Sequence, residues 1–173
     1  MANAGWVIRE GRDADGDGII ALIASCWSQY PRVIMDVDRE MPELRALDSY
    51  YRRNGGRLWI AESDARLRGM IAVRPSEPPG WEICRVYVDP RLHGSGLGHA
   101  LLDRAEGHAV VAGARRLALW SDTRFHRAHR FYQKRGYARV GPVRVLNDLS
   151  NSEEFGYVKQ MDGSAAEPDN RLT

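Results

Sequence analysis

The fold is decided by one stretch, Val86-Tyr87-Val88-Asp89-Pro90-Arg91-Leu92-His93-Gly94-Ser95-Gly96-Leu97-Gly98-His99-Ala100. An apolar, strand-forming run meets Asp89-Pro90, which ends it, and a turn of alternating glycines follows. From residue 96 to about 112 the apolar positions Leu97, Leu101, Ala105 and Ala109 recur at helical spacing. A strand therefore feeds a turn that opens a helix. Glycines let backbone approach a ligand with no Cβ in the way. A helix N-terminus presents unpaired N–H groups and the positive end of a dipole. Together they make an anion site, suited to a phosphate or pyrophosphate, and Arg91 adds a fixed positive charge. A Walker loop needs Gly-Lys-Ser/Thr at its end, and here His99 follows Gly98, which excludes it. A dinucleotide fingerprint counted from Gly94 needs a third glycine where His99 stands, and it expects to follow the first strand rather than several.

Working outward, residues 6–10 read as a strand and 13–18 as an acidic turn capping a helix over 19–30, which Pro31 stops. An irregular loop over 31–41 leads to a second helix, from Pro42 to about residue 53, closed by Gly55-Gly56. Strands at 57–62 and 67–74 form a hairpin, and 81–88 is the next strand. Beyond the glycine turn and its helix come a strand at 115–120, a basic helix at 124–135 and strands at 137–145 and 155–161. The order β-α-α-β-β-β-α-β-α-β-β implies a mixed sheet covered by helices, an α/β or α+β domain over 1–161. Residues 162–173 are polar and expected to fray.

Composition bounds the function classes. At 173 residues and 43% hydrophobic the chain has enough apolar content for one soluble core, without disulfides or metal. No apolar run approaches the ~20 residues that cross a bilayer, and the N-terminal residues lack a secretory h-region. The net charge of +2 is too small for a nucleic-acid footprint. Cys26 and Cys84 are expected to be reduced thiols in a cytoplasmic protein.

A second motif lies downstream, Phe131-Tyr132-Gln133-Lys134-Arg135-Gly136-Tyr137. With Arg91-x-x-Gly94-x-Gly96-Leu97-Gly98 before it, a strand between and the element order above, the sequence resembles the GNAT superfamily of N-acetyltransferases from residue 6 to about 161. The resemblance implies a mixed, mostly antiparallel central sheet flanked by helices. It implies acetyl-CoA as co-substrate: Val86, Tyr87 and Val88 would pair with pantetheine, and Arg91, Gly94, Ser95, Gly96, Leu97, Gly98 and His99 would surround the pyrophosphate. One family position departs: where members commonly carry Asn, seven residues before the tyrosine, this chain has Phe125, which leaves Arg124 or Arg127 to make that contact.

Acetyl transfer to an amine has a proton problem, because an alkylammonium of pKa ~10.4 is less than ~0.1% neutral at pH 7. The resemblance points to Glu82 as the base, working directly or through water, and to Tyr132 as the acid that protonates the departing CoA sulfur. Strand alternation places Glu82 on one face with Cys84, Val86 and Val88. Cys84 has no paired base and reads as a core residue. His126 and His129 have a spacing of three but no third ligand, so no metal is expected. In the family the acceptor enters between the loop joining the first two helices and the last strand loop. Here these hold Asp36, Asp38, Glu40 and Glu43, and Asp148, Glu153 and Glu154, an acidic rim suited to a small cationic amine. Two alternatives stay open, a non-catalytic acyl-CoA-binding regulatory module and an acetyltransferase of macromolecular amines. A homodimer is left open as well.

Overall fold

The computed structural model describes residues 5–161; the tail expected to fray, 162–173, lies outside the described residues. Seven strands form one sheet in the order β1-β2-β3-β4-β5-β7-β6. They are β1 Val7–Glu10, β2 Arg57–Ser63, β3 Arg66–Pro75, β4 Gly80–Val88, β5 Arg116–Asp122, β6 Ala138–Val145 and β7 Glu153–Gln160. Only β4 and β5 pair in parallel; every other neighbour is antiparallel. The helices are α1 Gly16–Trp27, α2 Val37–Glu40, α3 Leu47–Arg53, α4 Leu97–Val111 and α5 His126–Lys134.

The central strands are buried on both faces, so alternation sorts their side chains into two cores. Trp59, Ile71, Val73 and Ile83 pack against Leu97, Leu101 and Leu102 of α4 and Tyr132 of α5. Leu58, Ile60, Met70 and Ala72 pack on the other face against Ile19 and Ile23 of α1, Leu44, and Leu47 and Tyr51 of α3.

Three local expectations need correction. The first helix begins at Gly16 rather than 19, because a 3-10 turn, Asp13–Asp15, runs straight into it. Its acidic residues do not cap it. Asp15 bonds the Arg9 guanidinium, and Asp13 accepts from Ser49 N and Oγ, so the turn is tied to β1 and α3. The second predicted helix is a 3-10 turn, Pro42–Ala46, followed by α3, and the loop before it contains the short α2, capped by Asp36 accepting from Arg39 N.

β4 is bulged: its register against β3 jumps from Met70↔Tyr87 to Ala72↔Cys84, so Arg85 and Val86 together oppose one residue. Arg85 sits at φ +53, in the left-handed region that costs a non-glycine residue about 1–2 kcal/mol. The bulge breaks the alternation. Val86 and Val88 pack with the core under α4, whereas Cys84 and Tyr87 pack with the core under α1 and α3. Glu82 therefore does not share a face with Val86 and Val88.

Candidate functional site

β4 and β5 pair only through Gly80↔Arg116, Trp81↔Leu117 and Glu82↔Ala118. Beyond Glu82 they part, and a cleft of about 1090 Å³ opens between them. Its lining includes Glu82 through Val88 on one side and Leu119 through Asp122 on the other. The strand edge of β4 past Glu82 consequently faces a ligand-sized opening rather than another strand. Backbone amides so exposed need partners, and an extended chain bearing amides can supply them in the manner of an added strand.

At the far end of β4 the chain passes through a 3-10 turn, Pro90–Leu92, into the glycine turn and α4. Gly94 and Gly96 have φ +84 and +88, and a Cβ at either would meet no atom within 4 Å. Their requirement is thus conformational, and the space above them is open. Gly96 is the helix N-cap; Ser95 Oγ accepts from Leu97 N at 3.3 Å. Among the described residues, the N–H groups of Gly94, Gly96, Gly98 and His99 have no hydrogen-bond partner. Four donors at the positive end of a 15-residue helix fit an anion.

The side chains of this segment divide. Gly94, Gly96, Gly98 and His99 line the cleft, His99 with its ring edge-on to Phe131 at 4.9 Å. Leu97 is fully buried in the core. The Arg91 guanidinium turns back onto Asp89, which also binds Arg68; these two cations hold the Asp89 carboxyl well below the usual range. Positive side chains reach the cleft from α5 instead. Arg127, Arg130 and Lys134 line it, are exposed, and have no ion-pair partner among the described residues. Their spacing of three and four puts them on one helix edge. Phe125 lies against the Tyr30 ring, centroids 4.6 Å apart, and Arg124 is engaged by Asp122 at 2.6 Å, so Arg127 is the one of the two arginines facing the cleft.

Glu82 and Tyr132 line this same cleft. Glu82 accepts from Arg74 Nε and Nη2 at 3.0 and 2.8 Å through a single oxygen, Oε2. Oε1 remains for another partner. Tyr132 is 6% exposed, and no described residue bonds its hydroxyl. Burial pushes its pKa up, so it keeps its proton at neutral pH. Cys84 also lines the cleft, and burial together with Glu82 pushes its thiol up to about 12. Such a thiol is a poor nucleophile at pH 7.

His129 is buried, with Nε2 2.9 Å from Asp122 O, and no group of three His, Cys, Asp or Glu among the described residues is arranged to hold a metal. The acidic rim is largely engaged. Asp38 pairs with Arg45, Glu43 with Arg85, and Glu154 with Arg144. Glu40 and Asp148 line the cleft, have no ion-pair partner among the described residues, and accept from Leu149 N and Ser152 N. Two cleft residues were not expected from sequence, Arg74 and Arg85. Arg74 faces Glu82 across the β3–β4 hairpin, and a strand pairing at 67–74 with 81–88 carries that signal. Nothing in the pattern of residues announces the bulge that turns Arg85 inward.

Comparison with known proteins agrees with this geometry. The family model described as "Acetyltransferase (GNAT) family" matches residues 19–137. A Mycobacterium tuberculosis protein named "Probable N-acetyltransferase Rv2775" is 29% identical over 161 residues, covering 87% of this chain and 91% of that protein. Human N-acetylaspartate synthetase is 28% identical over 101 residues, 57% of this chain; the chain spans only 33% of that protein's length. Among solved structures, a GNAT-family acetyltransferase from Staphylococcus aureus Mu50 superposes with a TM-score of 0.79 at 19% identity, covering 90% of this chain and 99% of that one. The PaiA N-acetyltransferase of Thermoplasma acidophilum, solved in complex with coenzyme A, gives 0.67 at 18% identity, covering 90% and 98%. These two likenesses concern the fold.

Proposed function

The chain belongs to the acetyltransferase (GNAT) family, and on that premise we propose that it moves an acetyl group from acetyl-CoA directly to a primary amine, both bound in the β4–β5 cleft. The observation that carries this reading is one continuous opening with unpaired helix N–H groups at one end and Glu82 and Tyr132 within it.

The chain's own groups fit the co-substrate, which supplies an activated acetyl thioester. The N–H groups of Gly94, Gly96, Gly98 and His99 bind the pyrophosphate oxygens, and Ser95 and Leu97 hold the turn in shape. Arg127, Arg130 and Lys134 add charge for the phosphates. Arg91 acts on the turn through Asp89 rather than from within the cleft. The edge of β4 at Val86, Tyr87 and Val88, where Val88 O also accepts from Cys26 Sγ, pairs with the pantetheine amides.

The amine arrives as an ammonium, drawn by Glu40 and Asp148. Glu82 takes its proton, directly or through a water, so that the nitrogen lone pair reaches the thioester carbon. The C–N bond forms, the C–S bond breaks, and Tyr132 donates its hydroxyl proton to the sulfur so that CoA leaves as a thiol. The nitrogen of the adduct gives up its second proton, which restores the Tyr132 hydroxyl through solvent, and Glu82 releases the proton it took, so that ammonium and thioester become amide, thiol and one free proton. Cys84 takes no part, since its raised pKa keeps it a thiol. A cytoplasmic location goes with this reading, in which Cys26 and Cys84 stay reduced.

The test is the pH dependence of Glu82→Gln. At pH 7 its turnover should fall by roughly 10²–10⁴, the usual size of a general-base contribution. Part of the loss should return at high pH, where more amine is already neutral. Acetyl-CoA affinity should stay near wild type. Wild-type turnover in the variant at pH 7 would remove Glu82 as the base.

A further inference from the structure

Two loops that hydrogen-bond to each other line the acceptor end of the cleft. Its lining there comes from the α1–α2 segment, Val33, Ile34 and Glu40, and from the β6–β7 loop, Leu146, Asn147, Asp148 and Ser150. These walls are bonded to each other. Ser150 Oγ accepts from Ile34 N at 2.8 Å and donates to Ile34 O at 3.3 Å, and Leu149 N donates to Glu40 Oε1 at 2.7 Å. Arg124 fastens the second loop from below, through Ser150 O and Ser152 Oγ. Tyr30 against Phe125 closes the flank. An amine on the surface of a folded macromolecule cannot pass such a bridge without breaking it, whereas a small molecule needs no such opening.

The charges of β3 and β4 in the cleft are paired in opposite signs. Arg74 lies on Glu82, and Arg85 lies on Glu43 at 2.6 Å. Arg74 binds Glu82 through Nε and Nη2, which leaves its Nη1. Arg85 uses Nη2 on Glu43 and Nη1 on the Met41 sulfur and is also held by the Tyr51 and Tyr87 hydroxyls, neutral partners that a ligand carboxylate would share or displace. An arginine held at a left-handed bulge position is a conformation that surrounding structure must impose, and such strain concentrates where a side chain has work to do. A cation within hydrogen-bond distance of the carboxylate base suits a ligand whose amine and carboxylate are neighbours: the amine goes to Glu82 and the carboxylate to the arginines. Bidentate guanidinium–carboxylate recognition is the strong form of this contact.

Resting on the acetyl-transfer reading above, we infer that the acceptor is a small amino-carboxylate of the amino-acid type, enclosed under the Ile34–Ser150 bridge with its carboxylate on Arg85 and Arg74.

The test uses the wild-type chain with acetyl-CoA, measuring thiol release and the mass of the acetylated product. Each of a panel of free α-amino acids is compared with its carboxamide, its decarboxylated amine, and a folded protein with an accessible N-terminus. The best amino acid should exceed its decarboxylated counterpart by about 10²-fold or more in kcat/KM, because arginines built to bind a carboxylate are left unpaired by the analogue. The folded protein should not be acetylated. Arg85→Gln should shrink that ratio while acetyl-CoA affinity is kept, and Arg85→Lys should restore part of it. Equal rates for the acid and its decarboxylated amine overturn the carboxylate assignment, and acetylation of the folded protein at a comparable rate overturns the enclosure; acetyl transfer survives both. Acetyl-CoA binding with no transfer to any amine overturns the proposed function itself, and the inference with it. If an Arg85 variant fails to fold, the wild-type comparison still decides.

Discussion

Two glycines of α4's sequence neighbourhood give a matched pair of perturbations. At both Gly96 and Gly107 an added Cβ would meet nothing within 4 Å, so neither substitution by Ala causes a clash. They differ in backbone. Gly96 has φ +88 at the helix N-cap, whereas Gly107 lies inside α4, outside the left-handed region. Gly107→Ala should stabilise by about 1 kcal/mol, the usual difference between these residues in an exposed helix interior. Gly96→Ala should destabilise by about 1–2 kcal/mol, the cost of a left-handed L-residue. For a chain of this size each kcal/mol moves Tm by about 2–4 °C, so the two variants should move in opposite directions. Binding should separate them further. Gly96→Ala misaligns N–H groups that carry charge-assisted bonds of about 1.5–3 kcal/mol, and losing one weakens acetyl-CoA binding by roughly 10- to 100-fold. Gly107→Ala should bind as wild type. Thermal scans with and without acetyl-CoA read both effects, since a ligand raises Tm through its affinity for the folded state. An undiminished acetyl-CoA shift in Gly96→Ala would refute the assignment of the glycine turn as the pyrophosphate site.

Tyr132→Phe should lower kcat with little change in acetyl-CoA affinity, because a proton donor acts mainly in the transition state; unchanged kcat would make Tyr132 a packing residue. Cys84→Ala should keep turnover within a few-fold, and acid-quenched enzyme should carry no acetyl group. The same variant tests a pH effect. Burial raises the folded thiol to about 12 against a reference of 9.0, so the thiol's contribution is complete below pH 9 and is lost as pH rises towards 12. The Ala variant should therefore lose stability less steeply over that window in alkaline urea titrations. Glu106, buried in α4, accepts from Arg135, from Tyr137 Oη at 2.9 Å and from Lys159 at 3.0 Å. Glu106→Ala strands these donors and should cost about 3–5 kcal/mol in urea unfolding; a loss under 1 kcal/mol would contradict the network's structural role.

What sequence could reveal depended on how local the cause was. The β4–turn–α4 passage was legible because glycine placement, Asp89-Pro90 and the spacing of Leu97, Leu101, Ala105 and Ala109 are all short-range signals. The succession of elements around it followed from periodicity and turn residues, whereas the sheet order, with β7 between β5 and β6, was not read from the sequence. The bulge at Arg85 was not legible, since it depends on how β4 meets β3 and α3. That one insertion reversed the faces of Val86 and Val88 relative to Glu82. The partners of charged residues were equally hidden. Arg91 looked like a free cation in a glycine turn, yet Asp89 two residues earlier holds it. The acidic rim looked uncompensated because Arg85 and Arg144 lie far along the chain from Glu43 and close to Glu154 only through strand pairing. The bond between the two loops joins Ser150 and Ile34, residues 116 apart, which no motif connects.

The central claim is direct transfer from acetyl-CoA to an amine within one cleft. Initial rates measured over a grid of acetyl-CoA and acceptor concentrations test it most directly. A ternary complex predicts double-reciprocal lines that intersect, with no acetyl group retained by the protein when the acceptor is omitted. Parallel lines, together with stoichiometric acetylation of the protein without acceptor, would show a covalent acetyl-enzyme and contradict the account.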